Sequence, residues 1–303
     1  MPFDLNKYLV IGISSRALFD LSLENKIYEE KGLKEYSKYQ IEHENDILKQ
    51  GAGFNLIKGF LHINEIVSTK RKSEVIILSR NNADTSLRIF NSIEKYNLDI
   101  SRAALTSGES LTPYLNAFDV DLFLSADKED VQEAINAGFA AGLIYENYTY
   151  AEDDLDQIRI AFDGDAVLFS DESEKIYQEK GLEAFLEHEK ENAKKPLPEG
   201  PFAKLLKSLS FIQKQFNGEK SPIRTALVTS RNMPAHERVI RTLREWGIRI
   251  DEAFFLGGAP KGKVLDAFGA HIFFDDQIVH LDTAAKFVPV AQVPYKEEPG
   301  SIT

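Results

Sequence analysis

An internal repeat constrains this chain of 303 residues more than any other feature of its sequence. Lys26–Leu33 recurs, with one substitution, as Lys175–Leu182, 149 residues further along. Other matches keep their order at nearly the same offset: Ser79–Asn81 with Ser230–Asn232, Asn116–Phe118 with Asp266–Phe268, and Leu122–Leu124 with Ile272–Phe274. Ordered matches at one offset indicate two copies of a folding unit, which we predict to span 1–150 and 151–303. The polar, acidic stretch Glu146–Gln157 between them is predicted to be a linker.

Both halves predict an alternation of strands and helices. In the second half the predicted strands are Ile158–Phe162, Arg224–Val228, Ala253–Leu256 and His271–Phe274, and the predicted helices are Glu174–Glu191, Ala235–Trp246 and Lys263–Phe268. The first half shows the same order in Tyr8–Ile13, Glu24–Asn45 and Val75–Leu78. Such alternation is typical of the α/β class, so we predict two tandem Rossmann-like halves, each with a parallel sheet.

Composition excludes several classes of partner and site. With 36 basic and 48 acidic residues, the net charge of −12 argues against binding to a nucleic acid polymer or an anionic membrane. The absence of cysteine excludes disulfides, thiolate nucleophiles and cysteine-ligated metals. The N-terminal stretch, with an early Asp4, does not match a signal peptide, and no run approaches the roughly 18 apolar residues of a membrane span. We therefore expect a cytoplasmic protein.

Polar residues that could take part in catalysis or binding follow each predicted strand of the second half. They are Asp163 and Asp165, then Thr229 and Ser230, then Lys261 in a glycine-rich loop, and finally Asp275-Asp276. In a parallel sheet ligands sit beyond the carboxyl ends of the strands, so these groups should converge there. Carboxylates suit Mg²⁺, whereas lysine and hydroxyls suit phosphoryl oxygens. Each Asp could instead be a simple turn former.

The same residues resemble a known superfamily. Asp163–Val167, Thr229, Lys261 and Asp275-Asp276 resemble the four motifs of haloacid dehalogenase (HAD)-type phosphatases. More narrowly, Phe162–Glu174, Thr229–Asn232, Phe255–Gly262, Phe273–Gln277, Ile13–Asp20 and Lys38–Asn45 look like stretches of the cytosolic type I 5′-nucleotidases. The resemblance covers about residues 9–290.

The resemblance implies a role for each motif. Asp163 would attack phosphorus, and Asp165 would act as the general acid and then as the base. Thr229, Ser230, Arg231 and Lys261 would bind the phosphate of the substrate. The metal ligands of Mg²⁺ would be Asp163, the carbonyl of Asp165, and Asp275, with Asp276 in support. A helical cap would be inserted around 171–215, although a solvated helix face also explains that charged stretch.

The first half lacks every one of these groups. In our alignment Ser14 replaces Asp163, Arg16 replaces Asp165, Leu78 replaces Thr229, Leu111 replaces Lys261, and Ser125-Ala126 replace Asp275-Asp276. We therefore predict a HAD-like half without catalysis. The stretch Ser14-Ser15-Arg16 is either a second anion site or an ordinary solvated loop.

Two lysines compete for the role of phosphate ligand. Gly257–Lys263 resembles a P-loop, but Val264 stands where the Mg²⁺-binding Ser or Thr should be, which argues against a P-loop NTPase. Lys261 fits the HAD-type pattern better than Lys263, for which a solvated first helical turn is the alternative.

These patterns predict a Mg²⁺-dependent phosphomonoesterase that acts on nucleoside 5′-monophosphates such as AMP or IMP through an aspartyl-phosphate. The alternatives are a HAD phosphatase for another small ester, such as a sugar phosphate, and a nucleotide-binding regulatory protein without turnover. A nucleotide effector and a homo-oligomer are both compatible with the sequence.

Overall fold

The structure is a computed structural model that describes residues 4–66, 72–145, 157–216, 220–232 and 235–297. Its strands are β1 (Leu9–Ile13), β2 (Phe19–Asp20), β3 (Lys49–Gln50), β4 (Ser73–Ser79), β5 (Arg102–Leu105), β6 (Leu122–Ser125), β7 (Ala141–Ile144), β8 (Ile158–Phe162), β9 (Ile223–Thr229), β10 (Glu252–Phe255), β11 (Ile272–Asp275) and β12 (Val290–Gln292). The predicted linker lies, except for Gln157, outside the described residues.

Helices alternate with these strands. They are α1 (Ser15–Leu18), α2 (Ser22–Glu42), α3 (Phe54–Ile66), α4 (Leu87–Lys95), α5 (Thr112–Ala117), α6 (Lys128–Asn136), α7 (Glu172–Glu191), α8 (Ala203–Lys214), α9 (His236–Glu245), α10 (Gly262–Phe268) and α11 (Ile278–Ala284). Among the described residues, no helix combines the length and the apolar character that crossing a membrane requires.

Ten of the described strands form one sheet in the order β10-β9-β8-β11-β12-β7-β6-β1-β4-β5. The strand pairs are parallel except β12 with β7, where Ala291 lies opposite Ile144. The order β5-β4-β1-β6-β7 therefore corresponds, strand for strand, to β10-β9-β8-β11-β12. The predicted α/β class with a mostly parallel sheet is confirmed, and the two sets of strands meet at the antiparallel pair.

Burial explains why these short segments form strands. All residues of β1, β4, β6 and β11 are buried, as expected for parallel strands covered by helices on both faces. The amphipathic helix α9 buries Val239 and Leu243 on its inner face. The core is thus continuous along the sheet, and polar side chains are left at the strand ends.

The strand pairing corrects one position of our alignment. Thr106 donates its backbone N–H to the carbonyl of Ser79, as Leu256 does to Thr229, at 3.0 Å and 2.9 Å. Ser79, not Leu78, therefore occupies the position of Thr229. Our alignment shifted by one residue because it was anchored on the Ser-Arg-Asn sequence that follows each strand.

Helices α2 and α7 share an unusual break. Gly32 interrupts α2 with φ 79°, and Gly181 interrupts α7 with φ 80°. Both values lie in the left-handed region, which glycine adopts without a steric cost. The repeated octapeptide therefore has the same bend in both halves.

Candidate active site

A buried lysine joins two carboxylates at the strand ends of the second half. Asp163 follows β8, Asp275 ends β11, and Lys261 directly precedes α10. The Lys261 Nζ donates to Asp163 Oδ1 and to Asp275 Oδ2, each at 2.6 Å. The Lys261 side chain is only 1% exposed, so these bonds operate in an environment that water does not screen. Three residues from separate segments thus converge, as their positions after the strands predicted.

Burial and mutual charge perturb the protonation of this group. Burial raises the pKa of Asp163, and the neighbouring Asp275 adds to the rise while Lys261 opposes it. Burial alone would also raise the pKa of Asp275, but the nearby His280 and Lys261 lower it below its usual value. The two carboxylates share one lysine, and Asp275 has the additional imidazole, whose Nδ1 lies 3.3 Å away.

Asp276 completes a cluster of three buried carboxylates. Asp163, Asp275 and Asp276 each offer an oxygen within 4.8 Å of the others. Burial, together with the charge of Asp163, raises the pKa of Asp276, and the Tyr295 hydroxyl donates a hydrogen bond to it. One lysine cannot neutralise three carboxylates, so this oxygen-rich cluster fits a hard divalent cation such as Mg²⁺. Here the side chain of Asp276 joins the set, whereas we had assigned it only a supporting role.

The Asp165 side chain points to a different partner. Arg231 Nε lies 2.8 Å from Asp165 Oδ2, and its Nη2 lies 2.6 Å from Oδ1, a bidentate pair. Arg231 also binds Glu189 of α7, which accepts from Arg238 at 2.8 Å. Burial would lower the pKa of Arg231, but the charges of Asp165 and Glu189 outweigh burial and raise it. Arg231, which we expected to bind substrate, here contacts protein carboxylates.

The remaining predicted residues occupy distinct places. Thr229 is buried at the end of β9, and its hydroxyl accepts the backbone N–H of Arg231 at 3.2 Å. Ser230 and Lys263 are both exposed, whereas Lys261 lies in the cluster. Of the two candidate lysines, Lys261 is therefore the one that contacts the buried carboxylates.

The corresponding strand ends of the first half keep the backbone geometry and lose the charges. Ser14 donates its N–H to Leu124 at 2.9 Å, as Asp163 does to Phe274 at 2.8 Å. The Ser125 hydroxyl accepts from Asp127 N at 3.1 Å, in the way that Asp275 accepts from Gln277. Ser15 and Ser79 share a hydrogen bond of 3.1 Å between their hydroxyls. No described residue of the first half supplies a carboxylate at the positions of Asp163 or Asp275.

Sequence reasoning missed four residues that contact this site. They are Glu189, Arg238, His280 and Tyr295. Glu189 and Arg238 have counterparts in Gln40 and Arg88 of the first half, so a comparison of the two copies could have singled them out. Tyr295 lies beyond the last repeated segment, where no pattern indicates its contact.

The sequence of this chain is similar to those of known proteins. The family model of the 5′-nucleotidases matches residues 1–299. The human protein named cytosolic 5′-nucleotidase 1B is 38% identical over an alignment of 303 positions, which covers 96% of this chain and 49% of that protein. The chain therefore spans about half the length of this relative. No solved structure matches.

Proposed function

Because the chain belongs to the 5′-nucleotidase family, we propose that it hydrolyses nucleoside 5′-monophosphates, of the AMP or IMP type, to a nucleoside and phosphate. The observation that carries this proposal is the buried Lys261 between Asp163 and Asp275. It combines a nucleophile, a cation for phosphoryl oxygens and a metal-type carboxylate within one hydrogen-bonded group. The name of the human relative is consistent with a cytoplasmic location.

In the proposed reaction an oxygen of Asp163 attacks phosphorus, and the bond from phosphorus to the 5′-oxygen breaks. Asp165 gives its proton to the departing 5′-oxygen, which leaves as the nucleoside hydroxyl. Asp165 then takes a proton from water, and the resulting hydroxide attacks phosphorus and releases phosphate and free Asp163. Asp165 is paired with Arg231 as a carboxylate, so this role requires it to take up a proton and to release at least one of its two bonds to Arg231 when substrate enters.

Lys261 and Thr229 would bind the phosphoryl oxygens. The lysine charge is already positioned by two carboxylates, so little reorganisation is needed when substrate charge develops. The carboxylates of Asp163, Asp275 and Asp276 would hold Mg²⁺, together with the carbonyl of Asp165. When bound, the ion would neutralise charge on the phosphoryl group.

We also propose that 1–150 and 151–303 are tandem HAD-like halves, of which the first is silent, and that 171–215 forms a cap. The equal strand order of the two sets supports the first point. For the cap, support comes from α7, where Glu189 binds Arg231 and Glu174 accepts from Gln277 at 3.4 Å. Helix α7 thus reaches the strand ends beside the carboxylate cluster.

Phosphate release from AMP, IMP and a sugar phosphate, each with Mg²⁺, tests the proposal. We expect release from the nucleotides and much slower release from the sugar phosphate. Preference for the sugar phosphate would indicate a phosphatase for another ester, and no release from any substrate would indicate a regulatory protein.

The variant Asp163→Asn tests the nucleophile. The amide is nearly isosteric, so the fold should persist, but it is a far poorer nucleophile. We expect a loss of at least about three factors of ten in kcat, each worth about 1.4 kcal/mol of barrier. A variant that keeps a tenth of wild-type activity would contradict the assignment.

A further inference from the structure

A cavity of about 590 Å³ lies over the strand ends of the first half, where catalytic groups are absent. Its floor includes Ser14, Ser79 and Ser125, which occupy the positions of Asp163, Thr229 and Asp275. The cavity is therefore the first-half counterpart of the carboxylate cluster. Its volume falls in the range of small-molecule sites, which is roughly 300–1,000 Å³.

One wall of the cavity comes from the repeated octapeptide in α2. Tyr28 and Leu33, on either side of the break at Gly32, line the cavity although they are 51% and 61% exposed. Their counterparts in α7, Tyr177 and Leu182, are 48% and 53% exposed. Both halves therefore present an aromatic and an aliphatic side chain to solvent at the same place.

The aromatic arrangement is also repeated. Tyr28 packs edge-to-face on Tyr36, with ring centroids 5.9 Å apart and planes at 81°. Tyr177 packs on Phe185 in the same way, at 6.2 Å and 83°. In each pair the outer ring is held by the inner one, so that a face remains available to a planar ligand.

Scattered exposed apolar side chains need no explanation, but Tyr28 and Leu33 line the wall of a cavity and recur at the same place in the second half, which points to a ligand contact shared by both halves. The groups that differ between the halves are those for phosphoryl chemistry: Leu111 stands at the position of Lys261, and Ser125 at that of Asp275. The groups that the two halves share, an exposed tyrosine and an exposed leucine, suit the part of the substrate that carries no phosphate. That part is a planar base attached to a sugar.

The charges around the cavity favour an uncharged ligand. Four carboxylates line it, those of Glu24, Asp127, Glu129 and Asp130, against two guanidinium groups, Arg16 and Arg80. Glu24 is already paired with Arg88 at 2.5 Å, so the remaining excess of carboxylates is small. Arg80 is engaged by Asp130, with Nε 2.6 Å from Oδ1, and by Glu133 at 3.6 Å. An excess of carboxylates repels a polyphosphate, whereas carboxylate oxygens accept hydrogen bonds from ribose hydroxyls.

We propose that this cavity binds a nucleoside, the product class of the proposed reaction, without chemical turnover. The base would pack between Tyr28 and Leu33, and the sugar would face the serine hydroxyls and carboxylates. The choice of a nucleoside rests on the proposed function.

The test uses the full chain as the Asp163→Asn variant with Mg²⁺, so that no nucleotide is consumed. Isothermal titration calorimetry first measures AMP binding, and adenosine is then titrated into protein saturated with AMP. We expect one equivalent of AMP, which occupies the second half, and one further equivalent of adenosine.

Four variants locate the adenosine, one that removes the ring at Tyr28 and three controls. Removing the stacking ring with Tyr28→Ala should weaken its binding by about tenfold or more, because stacking on an aromatic ring contributes substantially to the binding of a base. Tyr28→Phe should bind like the parent. Tyr177→Ala, the counterpart in α7, and Tyr114→Ala, an exposed tyrosine outside the cavity lining, should leave this adenosine site unchanged.

The outcomes separate the two proposals. No adenosine uptake by protein that binds AMP overturns the nucleoside site and leaves the proposed function intact. Two equivalents of AMP with no adenosine site overturn the choice of an uncharged ligand and favour the anion site at Ser14-Ser15-Arg16. Loss of adenosine binding in Tyr177→Ala but not in Tyr28→Ala overturns the location. Absence of any AMP binding contradicts the proposed function itself.

Discussion

Removing Arg231 should destabilise the second half strongly, because it pairs with the buried carboxylate of Glu189 and the partly buried carboxylate of Asp165. The Arg231 side chain is 2% exposed, and that of Glu189 is fully buried. Breaking a buried ion pair from one side typically costs about 3–5 kcal/mol, since the other charge stays buried without compensation. Asp165 is 14% exposed and can gain water, and Glu189 keeps Arg238 and Ser173, each at 2.8 Å. We therefore expect Arg231→Asn to lower the free energy of unfolding by about 3 kcal/mol, the lower end of that range.

The first half shows which neighbouring residues accompany an asparagine at the position of Arg231. Around Arg88, the counterpart of Arg238, it has Glu24, Gln40 and Asn81 in place of Ser173, Glu189 and Arg231. The corrected register places Asn81 at Arg231, because their carbonyls accept the backbone N–H of Ser107 and of Gly257 in the same way. Arg88 binds Glu24 there at 2.5 Å, and Asn81 accepts from Tyr36 at 2.9 Å. The triple variant Arg231→Asn, Glu189→Gln, Ser173→Glu should therefore recover about half of the loss. Recovery is partial because Phe185, at the position of Tyr36, has no hydroxyl to donate.

Urea unfolding, followed by circular dichroism, measures both effects through the midpoint and slope. Arg241→Asn is the surface control, since its pair with Glu237 is about half exposed and should contribute less than about 1 kcal/mol. The reasoning fails if Arg231→Asn lies within about 1 kcal/mol of wild type, or if the triple variant is no more stable than the single one.

Three further predictions concern the carboxylate cluster. Lys261→Met leaves buried carboxylates without their cation, so we expect the free energy of unfolding to fall by about 3–5 kcal/mol in Mg²⁺-free buffer. Mg²⁺ should then raise the melting temperature of the variant more than that of wild type, because the ion supplies the missing positive charge. Equal rises in both proteins would contradict a Mg²⁺ site on the carboxylates that Lys261 contacts. Asp165→Asn should slow both chemical steps, yet Mg²⁺ affinity, measured by calorimetry, should fall less than in Asp275→Asn; the reverse order would refute the division of roles. Tyr295→Phe removes the hydroxyl that donates to Asp276 and should cost about 1.5–3 kcal/mol in urea unfolding, and an unchanged midpoint would show that water replaces the bond.

Local patterns determined which elements form and in what order. The strand β8 has the same bounds, Ile158–Phe162, as the sequence predicted, because a short, mostly apolar run that ends at the turn Asp-Gly-Asp is typical of a buried strand. The strands β7 and β12 escaped prediction, since they have only four and three residues and neither precedes a motif that marks its end, as the glycine-rich loop does after β10 and Asp275-Asp276 does at β11. They pair with each other across the middle of the sheet, a partnership that neither segment encodes alone.

The candidate site shows the same division. Asp163, Lys261 and Asp275 could be predicted to meet, because each lies at or after the carboxyl end of a strand of a parallel sheet, and those ends share one edge. The partner of Arg231 could not be predicted, because its position beside Thr229 and Ser230 points equally to substrate. Only the packing of α7 brings Glu189 to it, 42 residues away in sequence. Periodicity and strand order are local properties of the chain, whereas the pairing of buried charges depends on which helix covers them, and that is decided by the tertiary structure.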